Sequence, residues 1–282
     1  MRTEQVIDRR LYSEILPVTT VGIDIGSRMG KIVLLDKEQL VCYSVATGVN
    51  MQETADYLIK RVLELAGKKR EDISYIVGTG YGRISMDFDL PHGSVTEISC
   101  HAMGAHFLNK DTRTIIDIGG QDSKAIKVET ESGKVAEFVM NDKCAAGTGR
   151  FFEKVADLLN LKLEEAGKLA LESKKKLDIS SQCVVFAESE IVSLRAKGEA
   201  REDIIAAVNV ASARRVKNLV NRIGLEPELV FSGGVSNNPG MKSALEEVVG
   251  QKFLDLDFNM SYNGALGAAI YAQHYYEGGQ GR

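Results

Sequence analysis

The chain has 282 residues, of which 44% are hydrophobic and 26% are charged, and its formal net charge at pH 7 is −4. This charge argues against a nucleic-acid partner, and no apolar run approaches the ~20 residues that a membrane-spanning helix needs. The length suits two domains of about 100–150 residues each. Because the charged N-terminus also lacks the apolar core of a signal peptide, we expect a cytoplasmic protein with no membrane partner.

The first strongly patterned stretch is a β-hairpin that carries a carboxylate. The β-branched strand Val21–Ile25 ends in Gly26 and Ser27, and a second strand, Lys31–Leu35, follows at once. This order is typical of a hairpin. A charge inside an apolar strand is costly, so Asp24 requires a cation, a water or a hydrogen-bond partner. The turn can offer N–H and hydroxyl groups to a phosphate, although an ordinary hairpin with a surface aspartate has the same pattern.

The pattern over the rest of the first half predicts the element order β-β-β-α-β-α. A glycine-rich segment, Thr79–Arg83, follows one of these strands, but no clear helix pattern comes after it, so it is not a dinucleotide fingerprint. Residues 1–17 are predicted to form a short amphipathic helix or to be partly disordered. The other predicted elements are a strand at Gln39–Val45, a helix at Asn50–Leu65, a strand at Ile73–Val77 and a helix at Ser99–Phe107.

The second half of the chain begins by repeating the first hairpin. Thr114–Val128 contains an apolar strand, an aspartate, two glycines and then another strand. Asp117 matches Asp24, which lies 93 residues earlier. A third strand at Val135–Met140 corresponds to the third strand of the first half. Such a repeat is typical of a duplicated domain.

The next stretch, Asn141–Glu153, places a cysteine beside a glycine turn at the start of a helix. Cys144 comes three residues before Gly147-Thr148-Gly149, and a helical apolar pattern follows. The dipole of a helix stabilises a thiolate at its N-terminus, and free N–H groups there can bind a phosphate. The stretch therefore predicts a metal cluster, a nucleotide site or a coupling of the two. A buried free cysteine beside a glycine turn is the alternative.

A second cysteine has a similar setting. Ser180 or Ser181 can cap a helix that continues to Lys197, which puts Cys183 in its first turn. The chain has four cysteines and no C-x-x-C spacing, so a metal cluster needs ligands from distant positions or from another subunit. Two buried thiols are the alternative. The histidines show no zinc-site spacing and are predicted to be structural or on the surface; they are His92, His101, His106 and His274.

A strand followed by two glycines, at Leu229–Pro239, completes the set of motifs. Gly233 and Gly234 allow a flat ring or a phosphate to approach the backbone closely. If the duplicated halves face each other, the two hairpins can hold a phosphate chain from opposite sides. Asp24 and Asp117 would then position a hydrated Mg²⁺ and the attacking water. The motifs together predict an ATPase cleft between two domains.

At this point the motifs resemble those of a known superfamily. Gly22–Ser27, Ile116–Gln121 and Phe231–Gly234 are similar to the phosphate and adenosine motifs of the actin, sugar-kinase and Hsp70 ATPases. Four motifs narrow the resemblance to one branch: T-G-Y-G-R at Thr79–Arg83, I-D-I-G-G-Q-D-S-K at Ile116–Lys124, N-D-K-C-A-A-G-T-G-R-F at Asn141–Phe151 and F-S-G-G-V-S-N-N at Phe231–Asn238. That branch comprises the ATPase activators of 2-hydroxyacyl-CoA dehydratases and the related ATPase subunits of benzoyl-CoA reductase. The resemblance covers nearly the whole chain.

The resemblance implies an α/β fold of two duplicated ribonuclease-H-like domains, the actin/Hsp70/sugar-kinase ATPase fold, with a nucleotide cleft between them. It implies an N-terminal extension at 1–20, a first domain at 21–113 joined by the C-terminal helix at 264–282, and a second domain at 114–263 that carries the cluster-bearing helices. The implied cofactors are ATP or ADP, Mg²⁺ and one [4Fe–4S] cluster per homodimer.

The implied function is ATP-driven transfer of one low-potential electron from the cluster to a partner iron–sulfur dehydratase or reductase. A ferredoxin or flavodoxin is the implied electron donor. A small-molecule kinase on the same scaffold, without a metal cluster, is the alternative hypothesis. It explains the phosphate motifs but leaves the paired cysteines unexplained.

The motifs assign these roles residue by residue. Where the family usually has small hydroxyl residues after Gly-Ser, this chain has Arg28-Met29-Gly30, and Cys42 and Cys100 have no implied ligand role. The implied catalytic residues are Asp24, Asp117 and Gln121. The implied nucleotide-binding residues are Gly26, Ser27, Arg28, Lys31, Gly119, Gly120, Gln121, Gly147, Thr148, Gly149, Gly233, Gly234, Val235 and Asn238. The implied metal ligands are Cys144 and Cys183 for the shared cluster, and Asp24 and Asp117 for Mg²⁺ through water.

Overall fold

The computed structural model describes residues 2–4, 11–179 and 184–280. No helix among these residues is both long enough and apolar enough to span a bilayer. The chain divides into two compact units. The first comprises Met1–Thr112, Val128–Ala136 and Asp255–Arg282, and the second comprises Arg113–Lys127 and Glu137–Leu254.

The first unit contains a six-stranded sheet, counted over the described residues. Instead of the predicted N-terminal helix, the structure has a short strand that pairs antiparallel with the edge of this sheet, and a 3₁₀ turn at Leu11–Glu14. A backbone strand gains hydrogen bonds at an open sheet edge, which a short isolated helix cannot match. In the order β1-β4-β3-β2-β5-β6, the strands are β1 (Arg2–Glu4), β4 (Leu40–Ala46), β3 (Met29–Leu35), β2 (Thr19–Ile25), β5 (Ile73–Gly80) and β6 (His92–Ser94).

Three α-helices within the described part of this unit accompany the sheet, and local signals explain where the first two begin. α1 (Met51–Ala66) starts at Asn50, whose side chain accepts hydrogen bonds from the N–H groups of Gln52 and Glu53. α2 (Glu97–Leu108) starts at Thr96, whose hydroxyl accepts from the Ser99 N–H. Both helices lie where the sequence predicts them. The third, α8, spans Asn263–Gln280.

Small residues allow α8 to pack directly against β2 and α2. A Cβ atom on Gly22 in β2 would lie 2.0 Å from the carbonyl oxygen of Ala265, and one on Gly267 would lie 1.8 Å from that of Cys100. Real Cβ atoms do not approach backbone so closely, so these positions accept glycine alone. This contact fixes the backbone of α2 and α8 beside the end of β2 that carries Asp24.

The second unit repeats the strand arrangement of the first. Its sheet has the order β10-β7-β8-β9, as the first has β5-β2-β3-β4. β10 pairs parallel with β7, just as β5 pairs parallel with β2, and β7 pairs antiparallel with β8, just as β2 pairs with β3. The predicted duplication is confirmed at the level of the sheets. The strands are β7 (Thr114–Ile118), β8 (Ser123–Val128), β9 (Val135–Asn141) and β10 (Leu229–Ser232).

Helices cover this second sheet and bury its largest apolar core. Phe151, Phe152 and Val155, on one face of the first of these helices, pack in that core. The helix that continues to Ala196 is described from Val184 onward, so its predicted cap at Ser180 or Ser181 lies outside the described residues. The helices are α3 (Gly149–Leu158), α4 (Leu163–Leu169), α5 (Val184–Ala196), α6 (Arg201–Ile223) and α7 (Pro239–Val249).

Candidate functional site

The carboxylate of the first hairpin is buried and has a lysine beside it. Asp24 lies opposite Lys31 in the antiparallel register of β2 and β3, and Lys31 Nζ is 3.6 Å from Asp24 Oδ2. Asp24 is only 6% exposed, so the alternative of a surface aspartate was wrong. The opposite charge of Lys31 on the neighbouring strand offsets the free-energy cost of burying the Asp24 carboxylate.

Two hydrogen bonds hold the turn of this hairpin in place. The Gly26 N–H donates to the Met29 carbonyl at 3.1 Å, and the Thr47 hydroxyl donates to the Gly26 carbonyl at 2.8 Å. The Gly26 N–H is therefore used within the turn, and the nucleotide-binding role predicted for Gly26 stays a prediction. Ser27 is half-buried, and Arg28 and Met29 are exposed, so the predicted residues Ser27 and Arg28 lie on an accessible turn.

The second hairpin repeats the pair of charges and buries it more deeply. Asp117 and Lys124 are each 2% exposed, and Lys124 Nζ lies 3.3 Å from Asp117 Oδ2 and 3.0 Å from Asp122 Oδ2. The spacing of seven residues from aspartate to lysine is the same as in the first hairpin. Sequence reasoning did not assign Lys124 or Asp122 a role, although the repeated spacing was a usable signal for the lysine.

The glycine loop of the second hairpin is held by the start of α3. The N–H groups of Gly149 and Arg150 donate to the carbonyls of Gly119 and Gly120, at 2.9 Å each. The next two N–H groups of α3 donate to the Thr148 carbonyl. The N–H groups at this helix N-terminus are therefore used within the protein, contrary to the prediction that they are free for a phosphate.

The turn before α3 shapes the loop in the same way. Gly147 is buried with φ +87°, and the Thr148 hydroxyl donates to the Ala145 carbonyl at 2.7 Å. Gln121, in contrast, is half-exposed on the loop itself. The roles predicted for Gly147, Thr148 and Gly149 stay predictions, and their geometry favours support of the Gly119–Gly120 loop over direct contact with a ligand.

Each aspartate faces a glycine at the end of the neighbouring parallel strand or directly after it. A Cβ atom on Gly80 would lie 2.6 Å from Asp24 Oδ1, and one on Gly233 would lie 2.7 Å from Asp117 Oδ1. Both glycines have positive φ, +81° and +87°, which glycine adopts without strain. Gly80 lies in the motif at Thr79–Arg83 and was not predicted as a site residue. At each of these two positions a side chain would collide with the Oδ1 atom of the carboxylate.

The turn after Gly233 contains both open and structural positions. Gly234 is exposed, and nothing lies within 4 Å of the position that a Cβ atom would take. Val235 is buried. Asn238 caps α7, because its Oδ1 accepts from the Met241 N–H at 3.0 Å. The geometry thus leaves Gly234 accessible to a ligand and gives Asn238 a local structural function.

The described cysteines differ in their exposure to solvent. Cys42 and Cys100 are fully buried, and burial raises the pKa of both thiols, so they stay protonated near neutral pH. Cys144 is half-buried, in the loop between β9 and α3, and its carbonyl accepts from the Asn141 side chain at 3.0 Å. Cys183 lies outside the described residues. The described part of the chain contains no group of three or more His, Cys, Asp or Glu residues arranged to hold a metal ion.

Comparisons with known proteins show which family the chain resembles. The model of the BadF/BadG/BcrA/BcrD ATPase family matches residues 21–272. The chain is 45% identical over 259 residues to the (R)-2-hydroxyglutaryl-CoA dehydratase activating ATPase of Acidaminococcus fermentans, covering 91% of this chain and 98% of that protein.

Solved structures support the fold. The activator of 2-hydroxyisocaproyl-CoA dehydratase from Clostridium difficile, with bound ADPNP, is similar with a TM-score of 0.87 and 38% identity, covering 94% of this chain and 97% of that chain. A ROK family glucokinase from Streptomyces griseus is similar in fold alone, with a TM-score of 0.55 and 14% identity, over 91% of this chain and 99% of that chain. The predicted α/β fold of the actin, Hsp70 and sugar-kinase ATPases is confirmed.

Proposed function

The chain belongs to the BadF/BadG/BcrA/BcrD ATPase family, and on that premise we propose that it hydrolyses ATP to drive one low-potential electron to a partner enzyme. The proposed partner is an iron–sulfur 2-hydroxyacyl-CoA dehydratase or a related reductase, and the proposed donor is a ferredoxin or flavodoxin. The observation that carries the proposal is the duplicated aspartate–lysine hairpin in a chain 45% identical to a dehydratase activating ATPase.

We assign the chemistry of hydrolysis to the two buried aspartates. Asp24 and Asp117 are each held at Oδ2 by a lysine, and a glycine backbone lies beside each Oδ1; carboxylates are the ligands that hydrated Mg²⁺ prefers. The metal ion, when bound, neutralises charge on the phosphates. The carboxylates orient the attacking water, with Gln121 as the half-exposed amide that can share this task.

The proposed nucleotide contacts follow the accessible groups. Ser27, Arg28 and Lys31 on the first hairpin, and the Gly119–Gln121 loop on the second, bind phosphates through hydroxyl, cationic and backbone groups. Gly233 and Gly234 accept the nucleoside, because neither has a side chain to block a flat ring.

We assign the cluster to Cys144 and Cys183 from each of two copies of the chain. A [4Fe–4S] cluster takes four thiolates, and Cys42 and Cys100 are sealed in the interior as thiols. Cys144 is the half-buried one among the described cysteines, which suits a ligand that meets a second subunit. The cluster, when bound, supplies a one-electron carrier. A homodimer then completes a ligand set that one chain lacks.

Coupling between nucleotide and cluster has a direct route in the second unit. The loop between β9 and α3 carries Cys144, and the N–H groups at the start of α3 bind the Gly119–Gly120 carbonyls. A nucleotide that binds two arrangements of this loop with different affinity shifts their populations. ATP binding and hydrolysis can then change the setting of the cluster and the docking of the partner together.

The test is the iron and acid-labile sulfide content of anaerobically purified protein, with its oligomeric mass and its ATPase rate. We expect about two irons per chain in a dimer, which corresponds to one shared four-iron cluster. A colourless, iron-free protein that stays so after reconstitution, and that phosphorylates an added small-molecule acceptor, would favour the kinase alternative.

A further inference from the structure

A buried histidine borders the carboxylate of the first hairpin. His101 lies on α2 and is 6% exposed. A Cβ atom placed on Gly264 would lie 3.1 Å from His101 Nε2 and 3.2 Å from Asp24 Oδ2. The imidazole nitrogen and the carboxylate oxygen therefore border the same small space over the backbone of α8. Glycine at position 264 keeps this space clear.

The other side of the imidazole is oriented by the residue before that glycine. Asn263 is fully buried; its Nδ2 donates to the His101 carbonyl at 2.9 Å and lies 3.4 Å from His101 Nδ1. An amide N–H directed at Nδ1 makes Nδ1 an acceptor, which places the proton of a neutral imidazole on Nε2. Nε2 is the nitrogen that borders Asp24.

The duplicated hairpins show why Asp24 gains from a second donor. In the second hairpin, Lys124 is 2% exposed and held between two carboxylates, so its position on Asp117 Oδ2 is rigid. In the first hairpin, Lys31 is more exposed and lies 3.6 Å from Asp24 Oδ2. A donor from α2 on the same Oδ2 compensates for this looser contact.

We propose that His101 is a positioning residue for Asp24, donating from Nε2 to Oδ2 so that Oδ1 stays directed toward Gly80. This inference rests on the proposed ATPase function, in which Asp24 orients Mg²⁺ and water. Holding one carboxylate oxygen fixes the direction of the other, and reactions that depend on positioning are sensitive to small displacements.

A matched pair of amide substitutions separates positioning from packing. In His101→Gln the amide nitrogen reaches the place of Nε2, and in His101→Asn it reaches only the place of Nδ1. His106, also buried on α2 but packed against Gly133, provides the controls His106→Gln and His106→Asn. The measurements on the full-length protein are kcat and KM for ATP, thermal unfolding, and the affinity for ADP as a function of Mg²⁺ concentration.

We expect His101→Asn to lower kcat by about 10- to 100-fold, the effect of losing a hydrogen bond to a charged group, with KM for ATP changed by less than about threefold. His101→Gln should recover most of this loss, and the two His106 variants should match each other. In an Asp24→Asn background, His101→Asn should have no further effect, because the group that it positions has changed.

Equal activity of the Gln and Asn variants at position 101, or an undiminished effect of His101→Asn in the Asp24→Asn background, would overturn the inference. If the wild-type protein binds Mg²⁺ and ADP but does not hydrolyse ATP, the proposed function fails. The role of His101 is then tested by the Mg²⁺ dependence of ADP affinity alone. A weaker dependence in His101→Asn than in His101→Gln supports positioning, and an equal dependence refutes it.

Discussion

Gly233 lies so close to Asp117 that a Cβ atom on it would be 2.7 Å from Asp117 Oδ1 and 2.4 Å from the Ile118 carbonyl oxygen. The first unit has the same relationship between Gly80 and Asp24. Gly80 is the last residue of β5 and Gly233 directly follows β10, and each of these strands runs parallel to the strand of its aspartate. The duplicated element is therefore a strand that carries an aspartate, the second strand of its hairpin and a neighbouring glycine, and all three are repeated together.

Gly233→Ala is expected to lower both stability and ATPase activity. The new methyl group meets the carboxylate, and φ of +87° is strained for alanine, so we expect a loss of about 2–4 kcal/mol in the free energy of unfolding. Gly234→Ala is the matched control, since its Cβ would meet nothing within 4 Å, and it should change stability by less than about 0.5 kcal/mol. Urea unfolding measures the stability of both variants, and the rate of ATP hydrolysis measures the activity. Equal effects of the two variants would contradict this reading of the turn.

Lys124→Met is expected to destabilise the second unit strongly. The substitution removes the ammonium group that separates the buried carboxylates of Asp117 and Asp122. Removing one partner from a buried ion network costs about 3–5 kcal/mol. Lys31→Met, at the equivalent but more exposed position, should cost about 1–2 kcal/mol. Denaturant midpoints measure both, and a Lys124→Met protein as stable as Lys31→Met would show that the two hairpins are not different in burial.

Cys144→Ala is expected to abolish the iron content while ATP binding is largely kept. The proposed cluster would lose one of its two proposed ligands per chain, but the hairpins that are proposed to bind the nucleotide are unchanged. Cys42→Ala is the control, because this thiol is fully buried. Iron and sulfide analysis measures the cluster content, and calorimetric titration measures ATP binding. A normal cluster in Cys144→Ala would remove Cys144 from the ligand set.

Thiol alkylation of the iron-free protein near pH 8 should modify Cys144 well before Cys42 and Cys100. Burial raises the pKa of the latter two thiols, so their reactive thiolate form is scarce until the pH is far above neutral or the protein unfolds. Mass spectrometry of the peptides reports each site. Rapid labelling of Cys100 in folded protein would mean that α2 opens readily. Labelling in urea serves as the control.

Asp117→Ala is expected to slow ATP hydrolysis by at least about 100-fold, the typical effect of removing a group that assists proton transfer or positions the water. The proposed cluster should persist, because its proposed ligands are elsewhere in the chain. Asp111→Ala, at an exposed position, serves as the control for loss of an aspartate. Unchanged turnover in Asp117→Ala, with intact folding shown by circular dichroism, would refute the role of this carboxylate.

The sequence alone determined the parts of this protein that depend on neighbouring residues. An aspartate within an apolar strand followed by glycines predicted both hairpins, and their repetition predicted the matching sheets. The cap at Asn50 and the apolar face of α3 likewise carried local signals. The motifs also identified the family, which the family model confirmed.

Tertiary structure decided which groups face one another. The first two N–H groups of α3 donate to the carbonyls of Gly119 and Gly120, about 30 residues earlier, and no local pattern predicts that pairing. His101 reaches the side of Asp24 because glycines bring α8 and α2 against β2 at backbone distance. A strand or helix pattern specifies which residues are buried, since burial follows local periodicity. The partners of a buried polar group follow from packing between segments that are distant in sequence, and those contacts exist only in the folded chain.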